Sequence, residues 1–108
     1  MSLWIYLHQE GAEDEVYSAN ITHNLGRMAA EAGLYKWIWR PDEAGVTTAA
    51  QLIEPLRIGL ALLKSDLDRF EALAPSNGWG TYQGFVGFVE EYLAACETAP
   101  SASVSASR

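Results

Sequence analysis

Apolar side chains recur at helical spacing in the last third of the chain, and this series is the clearest structural signal in the sequence. After Thr81, one apolar residue follows another at intervals of four, four and three positions: Phe85, Val89, Leu93 and Cys96. This spacing places the side chains on one face of an α-helix, and the Thr81 hydroxyl can accept a hydrogen bond from a free N–H of the first turn. We therefore predict a helix after Thr81 that buries the thiol of Cys96.

A leucine series predicts another helix in the middle of the chain. Its members share one helical face: Leu52, Leu56, Leu60 and Leu63. Thr48 and Gln51 precede it with the spacing of a capping box. Pro55 interrupts the pattern, because proline donates no backbone hydrogen bond and crowds the preceding turn. We expect either a kink at this proline or a helix that starts near Glu54.

Two shorter helices are predicted on either side of the leucine series. Asp66 can cap one of them, which carries Leu67, Phe70 and Leu73. The other covers residues 34–39, which hold four large apolar side chains and end before Pro41, where the residue preceding a proline is pushed out of helical geometry. The alternation of aromatic residues within 34–39 would also suit a strand.

A further apolar series predicts a helix closer to the N-terminal end. Its members are Tyr17, Ile21, Leu25, Met28 and Ala32. Gly33 suits the end of this helix, because glycine tolerates a left-handed backbone. The start stays open, since Asp14, Asn20 and Thr22 can each cap a first turn. If Asn20 is the cap, Tyr17 precedes the helix.

Residues 3–8 are short and rich in β-forming side chains, and we predict a strand that is moderately buried on both faces. The small, polar composition of residues 99–108 is typical of a frayed end. Val104 alternates with serines, however, so Ser103–Ser107 is alternatively a strand paired with Leu3–Leu7. The predicted fold is α+β and predominantly helical, with four or five helices and a small antiparallel strand pair from the two termini. The alternative is an all-α domain with frayed ends.

Composition supports one globular domain covering residues 1–108. The chain is 49% hydrophobic and 19% charged, which is typical of a globular protein and unlike a disordered one. Cys96 is the only cysteine and cannot form an internal disulfide. No apolar run approaches the roughly 18 residues of a membrane span, and no signal peptide is recognisable, so we expect a cytoplasmic protein.

The charge balance bears on the class of partner. The formal net charge is −7, which disfavours direct binding to nucleic-acid phosphates because such binding needs clustered Lys and Arg. A basic partner is compatible with this charge. The only acidic cluster is the run of Glu10, Glu13, Asp14 and Glu15, which we predict to be a solvated connection.

No constellation of catalytic or metal-binding residues is recognisable in the sequence. His8 and His23 are the only histidines, and neither has ligand spacing with the other or with Cys96. The stretch from Gly78 to Gly84 imitates a dinucleotide fingerprint, but its third glycine comes one position late and no buried strand precedes it. We therefore predict no catalytic residue, no metal and no cofactor, and lean against an enzymatic activity.

One group of residues is a candidate ligand site. Hydrogen-bonding side chains concentrate at Asn20, Thr22, His23 and Asn24, and a helix start there could bind an anion or a small polar ligand, joined by Trp79 and Tyr82. Helix capping and a core hydrogen bond are the competing explanation, which we favour. We predict that residues 77–80 form an architectural joint, with Trp79 buried and Gly78 or Gly80 at positive φ. We also expect Trp4, Trp37 and Trp39 to lie largely in the core.

Several stretches together resemble a small uncharacterised protein family of actinobacterial phages and prophages. They are Asn20-Ile21-Thr22-His23-Asn24-Leu25, Ala32-Gly33-Leu34-Tyr35 with Trp39-Arg40-Pro41, and Pro75-Ser76-Asn77-Gly78-Trp79-Gly80-x-Tyr82. The most specific part is Ser-Asn-Gly-Trp-Gly. The resemblance implies a phage-encoded accessory protein acting in the bacterial cytoplasm and favours an ordered terminal strand. It carries over no catalytic residue.

Three functions are therefore considered. The first is a non-enzymatic accessory protein that binds a host or phage protein. The second is a small polar-ligand-binding protein or minor enzyme that uses the Asn20–Asn24 cluster. The third is an acidic mimic of nucleic acid that occupies a basic site. We expect no membrane association, and a homo-oligomer stays open.

Overall fold

A computed structural model describes residues 2–78 and 80–108, and shows an α+β fold with a three-stranded antiparallel sheet and, within those residues, five helices. The strands are β1 (Ser2–His8), β2 (Tyr17–Thr22) and β3 (Ser103–Ser107). The helices are α1 (Gly26–Glu31), α2 (Tyr35–Trp39), α3 (Ala50–Ser65), α4 (Leu67–Glu71) and α5 (Tyr82–Thr98). A single 3-10 turn, His23–Leu25, connects β2 to α1.

The sheet is ordered β2-β1-β3, so the first strand lies in its centre. In the pairing of β1 with β3, Trp4 lies opposite Ser107 and His8 lies opposite Ser103. The predicted pairing between the two ends of the chain is therefore confirmed, and the all-α alternative is wrong. The strand pair is extended by β2, which no terminus supplies and which overlaps the helix predicted from Tyr17 and Ile21.

Residues 17–22 form a strand because they hydrogen-bond to β1, with Leu3 opposite Ile21 and Leu7 opposite Tyr17. A spacing of four places two side chains on one face in a strand as well as in a helix, so Tyr17 and Ile21 fit both patterns. Helical geometry begins only at the 3-10 turn, where the Thr22 hydroxyl accepts a hydrogen bond from the Asn24 N–H at 3.3 Å. Of the three proposed caps, Thr22 is the one used.

The sheet has one buried and one solvent-facing side. Leu3, Ile5 and Leu7 point into the core and have no exposed surface, whereas Trp4 and His8 are exposed. The prediction that this strand is buried on both faces is therefore wrong. An antiparallel sheet covered by helices on one side alternates in this way.

The predicted helices after residue 33 are present, with different boundaries in α3. This helix begins at Ala50 and continues through Pro55, so a start near Glu54 is wrong. The Gln51 side chain accepts hydrogen bonds from the backbone N–H groups of Thr47 at 2.6 Å and Thr48 at 2.9 Å, which is the reciprocal half of a capping box. Residues 35–39 are helical rather than extended.

Of the last two helices, α5 begins with the predicted side-chain cap and α4 does not. The Thr81 hydroxyl accepts a hydrogen bond from the Gly84 N–H at 2.9 Å and caps α5 as predicted. The Asp66 side chain makes no capping hydrogen bond to α4, and its carboxylate instead approaches the Arg69 guanidinium at 3.8 Å.

The core lies between the inner side of the sheet and the helices. Trp39 is 2% exposed and Cys96 is fully buried, as predicted. Trp37 is only partly buried, and Trp4 is 42% exposed, so its predicted place in the core is wrong. The reason is the alternation of β1, which puts Leu3 and Ile5 inside and directs Trp4 to the other face.

The outer edge of β3 is attached to the chain ahead of α3. Thr48 pairs with Ser103, and the Val104 N–H donates to the Thr47 carbonyl at 3.1 Å. The Arg108 guanidinium donates to the Trp39 carbonyl at 3.0 Å and to Asp42 Oδ1 at 3.3 Å. The last strand is therefore held by β1 on one edge and by contacts with residues 39–48 on the other.

Candidate functional site

The residues of the predicted ligand cluster lie on two different elements, a strand and the 3-10 turn that follows it. Asn20 is exposed on the solvent-facing side of the sheet, Thr22 caps the 3-10 turn, and Asn24 is exposed on that turn. Asn20 therefore lies on a strand and not at the predicted helix start, and the part of these residues in a ligand site stays a prediction.

His23 is occupied by a structural hydrogen bond. Its Nδ1 accepts from the indole N–H of Trp39 at 3.0 Å, and this indole is almost completely buried. Buried polar groups need a partner, so His23 satisfies the one polar atom of the Trp39 side chain.

Tyr82 and Gly80 also have structural contacts. The Tyr82 hydroxyl donates to the Leu63 carbonyl at 2.7 Å and ties the start of α5 to the end of α3. A β-carbon built on Gly80 would lie 2.9 Å from side-chain atoms of Thr22 and Leu25, so this backbone packs directly against the 3-10 turn.

The joint between α4 and α5 has the backbone that its glycines predicted. Gly78 has a φ of +78° and Gly80 a φ of +111°, both in the region that favours glycine. Trp79 lies outside the described residues, so its predicted burial and its proposed part in a ligand site stay predictions.

A row of aromatic side chains runs along the solvent-facing side of β1, with Trp4 and His8 exposed and Tyr6 partly buried between them. The ring centroids of Trp4 and Tyr6 are 6.3 Å apart with planes inclined by 13°, and those of Tyr6 and His8 are 6.2 Å apart with planes inclined by 29°. Stacking restricts the rotamers of these rings, so they form a preorganised surface. We call Trp4, Tyr6 and His8 the aromatic row.

Small polar residues border the aromatic row on both sides. On β2, Asn20 lies opposite Trp4 and Ser18 lies opposite Tyr6. On β3, the opposing positions are all serines: Ser103, Ser105 and Ser107. Because directly opposed residues share a face, the aromatic rings stand above a bordering surface of short side chains.

The loop between β1 and β2 adds negative charge at one end of this face. All four acids of the cluster are exposed in it: Glu10, Glu13, Asp14 and Glu15. No basic residue lies in residues 9–16. A partner that approaches this end of the sheet therefore meets a concentrated negative field.

A concave surface lies between α2 and α3. It is an apolar groove of about 370 Å³ lined by Ala32, Gly33, Trp37, Glu54, Pro55, Ile58 and Gly59. Ile58 is 60% exposed at its rim. None of the residues of the predicted ligand cluster lines it.

Tyr92 and Cys96 are buried titratable side chains, and the partly buried Tyr17 packs beside them. The two tyrosine rings stack with centroids 6.1 Å apart, and both hydroxyls are buried without a hydrogen-bond partner among the described residues. Burial, assisted by the Glu97 charge, raises the pKa of the Cys96 thiol to about 12, and burial also raises the pKa of Tyr92. A thiol held protonated in this way is a poor nucleophile.

Neither metal-binding nor membrane-spanning features are found in residues 2–78 and 80–108. No group of three or more His, Cys, Asp or Glu side chains there could hold a metal ion. None of the helices described is long and apolar enough to traverse a bilayer.

The aromatic row was missed because β1 was expected to be buried on both faces. The signal lay in the two alternating sets of side chains, which are aliphatic at positions 3, 5 and 7 but amphipathic at positions 4, 6 and 8. Trp, Tyr and His each have an apolar ring and a polar atom, which suits a surface in contact with water.

The chain was also compared with known proteins. No protein-family model, no curated protein and no solved structure matches it.

Proposed function

We propose that this protein has no enzymatic activity and acts by binding another protein through the aromatic row. The observation that carries the proposal is the exposure of Trp4, which keeps 42% of its surface in solvent while stacked on Tyr6. Following the resemblance in its sequence, we further propose a phage or prophage accessory protein whose partner is a host or phage protein in the bacterial cytoplasm.

Trp and Tyr are the residues that most often dominate the energy of protein interfaces. They contribute a large contact area and lose little conformational entropy on binding, since each has only two side-chain torsions. In the aromatic row the rings are already held by stacking, so the remaining entropic cost is reduced further. The bordering serines and Asn20 supply hydrogen-bonding groups of the kind found at an interface rim.

The composition of the same face weighs against single-stranded nucleic acid. Aromatic rings on a sheet can stack on bases, but such surfaces combine stacking with a positively charged groove. No Lys or Arg lies in β1, β2 or β3, and the formal net charge is −7.

The two alternatives have less support from the structure. The polar-ligand hypothesis needs convergent side chains, whereas His23 and Tyr82 are bonded to Trp39 and Leu63. The nucleic-acid mimic needs a ribbon of free carboxylates, whereas several acids are ion-paired with Arg or Lys: Glu31, Asp42, Glu43, Glu54, Glu90 and Glu97.

Capture experiments with matched variants test the proposal. The tagged protein would be expressed in an actinobacterial host and its bound proteins identified, in parallel with Trp4→Ser and Ile58→Ser. Both substitutions remove an exposed apolar side chain, but Ile58 belongs to the apolar groove. We expect Trp4→Ser to lose the captured partner and Ile58→Ser to retain it. The opposite pattern would assign binding to the groove and overturn the proposal.

A further inference from the structure

The two edges of the sheet differ in how they are protected. The outer edge of β3 is bonded to Thr47 and Thr48 at its first two residues, but β2 has only β1 as a strand neighbour. Within residues 2–78 and 80–108, no backbone hydrogen bond from a loop or from another strand than β1 reaches residues 17–21. In this described part of the chain, the outward backbone groups of residues 17–21 therefore have no strand partner.

The sequence of β2 carries none of the usual protection of an edge strand. Natural proteins block such edges with charged side chains, proline or a covering segment. Tyr17–Thr22 reads Tyr-Ser-Ala-Asn-Ile-Thr and contains no charge, no proline and no glycine. Six extended residues present an edge roughly 20 Å long, sufficient for the strand addition by which several domains bind peptides.

The surroundings of this edge specify the charge of its occupant. The loop of residues 9–16 adjoins the Tyr17 end of β2 and places four exposed acids there: Glu10, Glu13, Asp14 and Glu15. A strand with Lys or Arg at that end would gain favourable electrostatic energy, whereas an acidic one would be repelled. A second copy of this chain fits less well, because its own β2 has no Lys or Arg to place beside the acidic loop.

We propose that the outer edge of β2 binds an extended segment of a partner protein as a fourth strand. This segment is uncharged along β2 and carries Lys or Arg beside the acidic loop. The inference rests on the proposed function, since it describes the part of the partner that extends the sheet. The solvent-facing side chains of the added strand would lie beside Ser18 and Asn20 and widen the surface around the aromatic row.

Selection from a displayed library of random twelve-residue peptides tests the inference on the whole protein. We expect enriched peptides to contain β-branched residues followed or preceded by Lys or Arg. Bound peptide should slow amide hydrogen exchange in residues 17–22 at alternate positions, because successive N–H groups point to opposite edges of a strand. No enrichment, enrichment without basic residues, or protection elsewhere in the chain would overturn the inference.

Substitutions in β2 provide a direct check with an enriched peptide. Ser18→Pro and Ala19→Pro each remove one backbone N–H from β2. Because successive N–H groups point to opposite edges, one of these variants loses an outward N–H and the other loses a hydrogen bond to β1. Thermal melts show which variant has lost the bond to β1, since that variant is destabilised. The variant that stays folded should lose binding. If neither folds, exchange protection and the charge variants below decide the outcome.

Charge variants test the acidic loop separately. Asp14→Asn/Glu15→Gln should weaken binding of the peptide about tenfold, because it removes half of the local negative charge. The control, Asp68→Asn/Glu71→Gln in α4, changes the net charge equally and should alter affinity by less than about twofold. If both double substitutions changed the affinity equally, the placement of the basic residues of the partner beside the acidic loop would be wrong.

The results of these experiments distinguish binding at the edge of β2 from binding at the aromatic row. Peptide binding that survives Trp4→Ser but is lost in the folded proline variant supports the edge even where the proposed function of the row fails. Loss of partner capture in Trp4→Ser, with no peptide protection in residues 17–22, supports the row and overturns the edge. Self-association at low concentration with residues 17–22 protected would show a second copy in place of the partner and would also overturn the inference.

Discussion

His23 shows how a residue that looks chemically active can serve the core. Its Nδ1 accepts the indole N–H of Trp39 at 3.0 Å, so the imidazole carries its proton on Nε2 when this bond is made. Without that acceptor, the Trp39 N–H would be buried and unpaired. The side chain therefore links the 3-10 turn to the end of α2.

Removal of this acceptor should destabilise the protein. We expect His23→Ala to lower the free energy of unfolding by about 1–3 kcal/mol, the cost of leaving a buried donor without a partner. His8→Ala is the matched control, because His8 is exposed on β1 and should change stability by less than about 0.5 kcal/mol. Urea unfolding of both variants measures the difference, and equal effects would contradict the structural role of His23.

The buried thiol and tyrosines should make the protein sensitive to alkali. Burial raises the pKa of Cys96 from 9.0 to about 12 and raises the pKa of Tyr92, so the unfolded chain releases these protons at lower pH than the folded one. Stability is then fully present below about pH 9 and falls as the pH rises through the raised values. Unfolding free energies at pH 8, 9 and 10 test this, and Cys96→Ala should flatten the decline. A stability that is constant up to pH 10 would contradict it.

At the scale of elements, the packing of α3 depends on a residue without a side chain. Gly59 is buried where α3 crosses the start of α2, and a β-carbon there would lie 2.3 Å from Leu34 Cδ2. Leu34 has no exposed surface and little room to move. The contact explains why this helix tolerates a glycine that lowers its intrinsic propensity.

Two glycine substitutions should therefore have opposite effects. We expect Gly59→Ala to destabilise the protein by about 1–3 kcal/mol through overpacking against Leu34. Gly87→Ala lies within α5, where a β-carbon would meet nothing within 4 Å, and should stabilise it by about 0.5–1 kcal/mol. Thermal unfolding of the two variants provides the comparison, and shifts of the same sign would refute the packing described for Gly59.

The elements differ in how far their sequences determine them. The start of α5 at Thr81 and the burial of Cys96 were predictable, because a long periodic series and a cap agree there. The strand β2 was not predictable, because the spacing of Tyr17 and Ile21 fits a helix and a strand equally well. Only the pairing with β1 determines that these residues form a strand. The aromatic row was not predictable for a similar reason. Which side of β1 faces solvent depends on which side of the sheet the helices cover, and this is a property of the tertiary structure.

At the scale of the whole molecule, the contacts of β3 join the two ends of the chain and the segment before α3. The strand completes the ladder of β1, Ala102 is fully buried beside it, and Ala49 donates to the Ala102 carbonyl at 2.9 Å. These interactions make the last eight residues part of the folded structure.

Truncation of the chain measures this contribution. Deletion of residues 101–108 should lower the melting temperature by at least about 10 °C, because it leaves one edge of β1 unpaired and opens the core beside it. Deletion of Arg108 alone removes only its bonds to Trp39 and Asp42 and should cost about 0.5–1.5 kcal/mol. Calorimetry of both proteins distinguishes the contribution of β3 to stability from that of Arg108. An unchanged melting temperature in the longer deletion would contradict the importance of β3.

The central position of β1 also has a consequence for biosynthesis. Translation produces this strand first, but its partner β3 follows about one hundred residues later. At 5–20 residues per second, synthesis of β3 follows that of β1 by roughly 5–20 s, and β2 is the neighbour of β1 that is made earlier. We therefore expect the sheet to close after residue 107 has left the ribosome. Until then the β3-facing edge of β1 is accessible to chaperones and to neighbouring nascent chains.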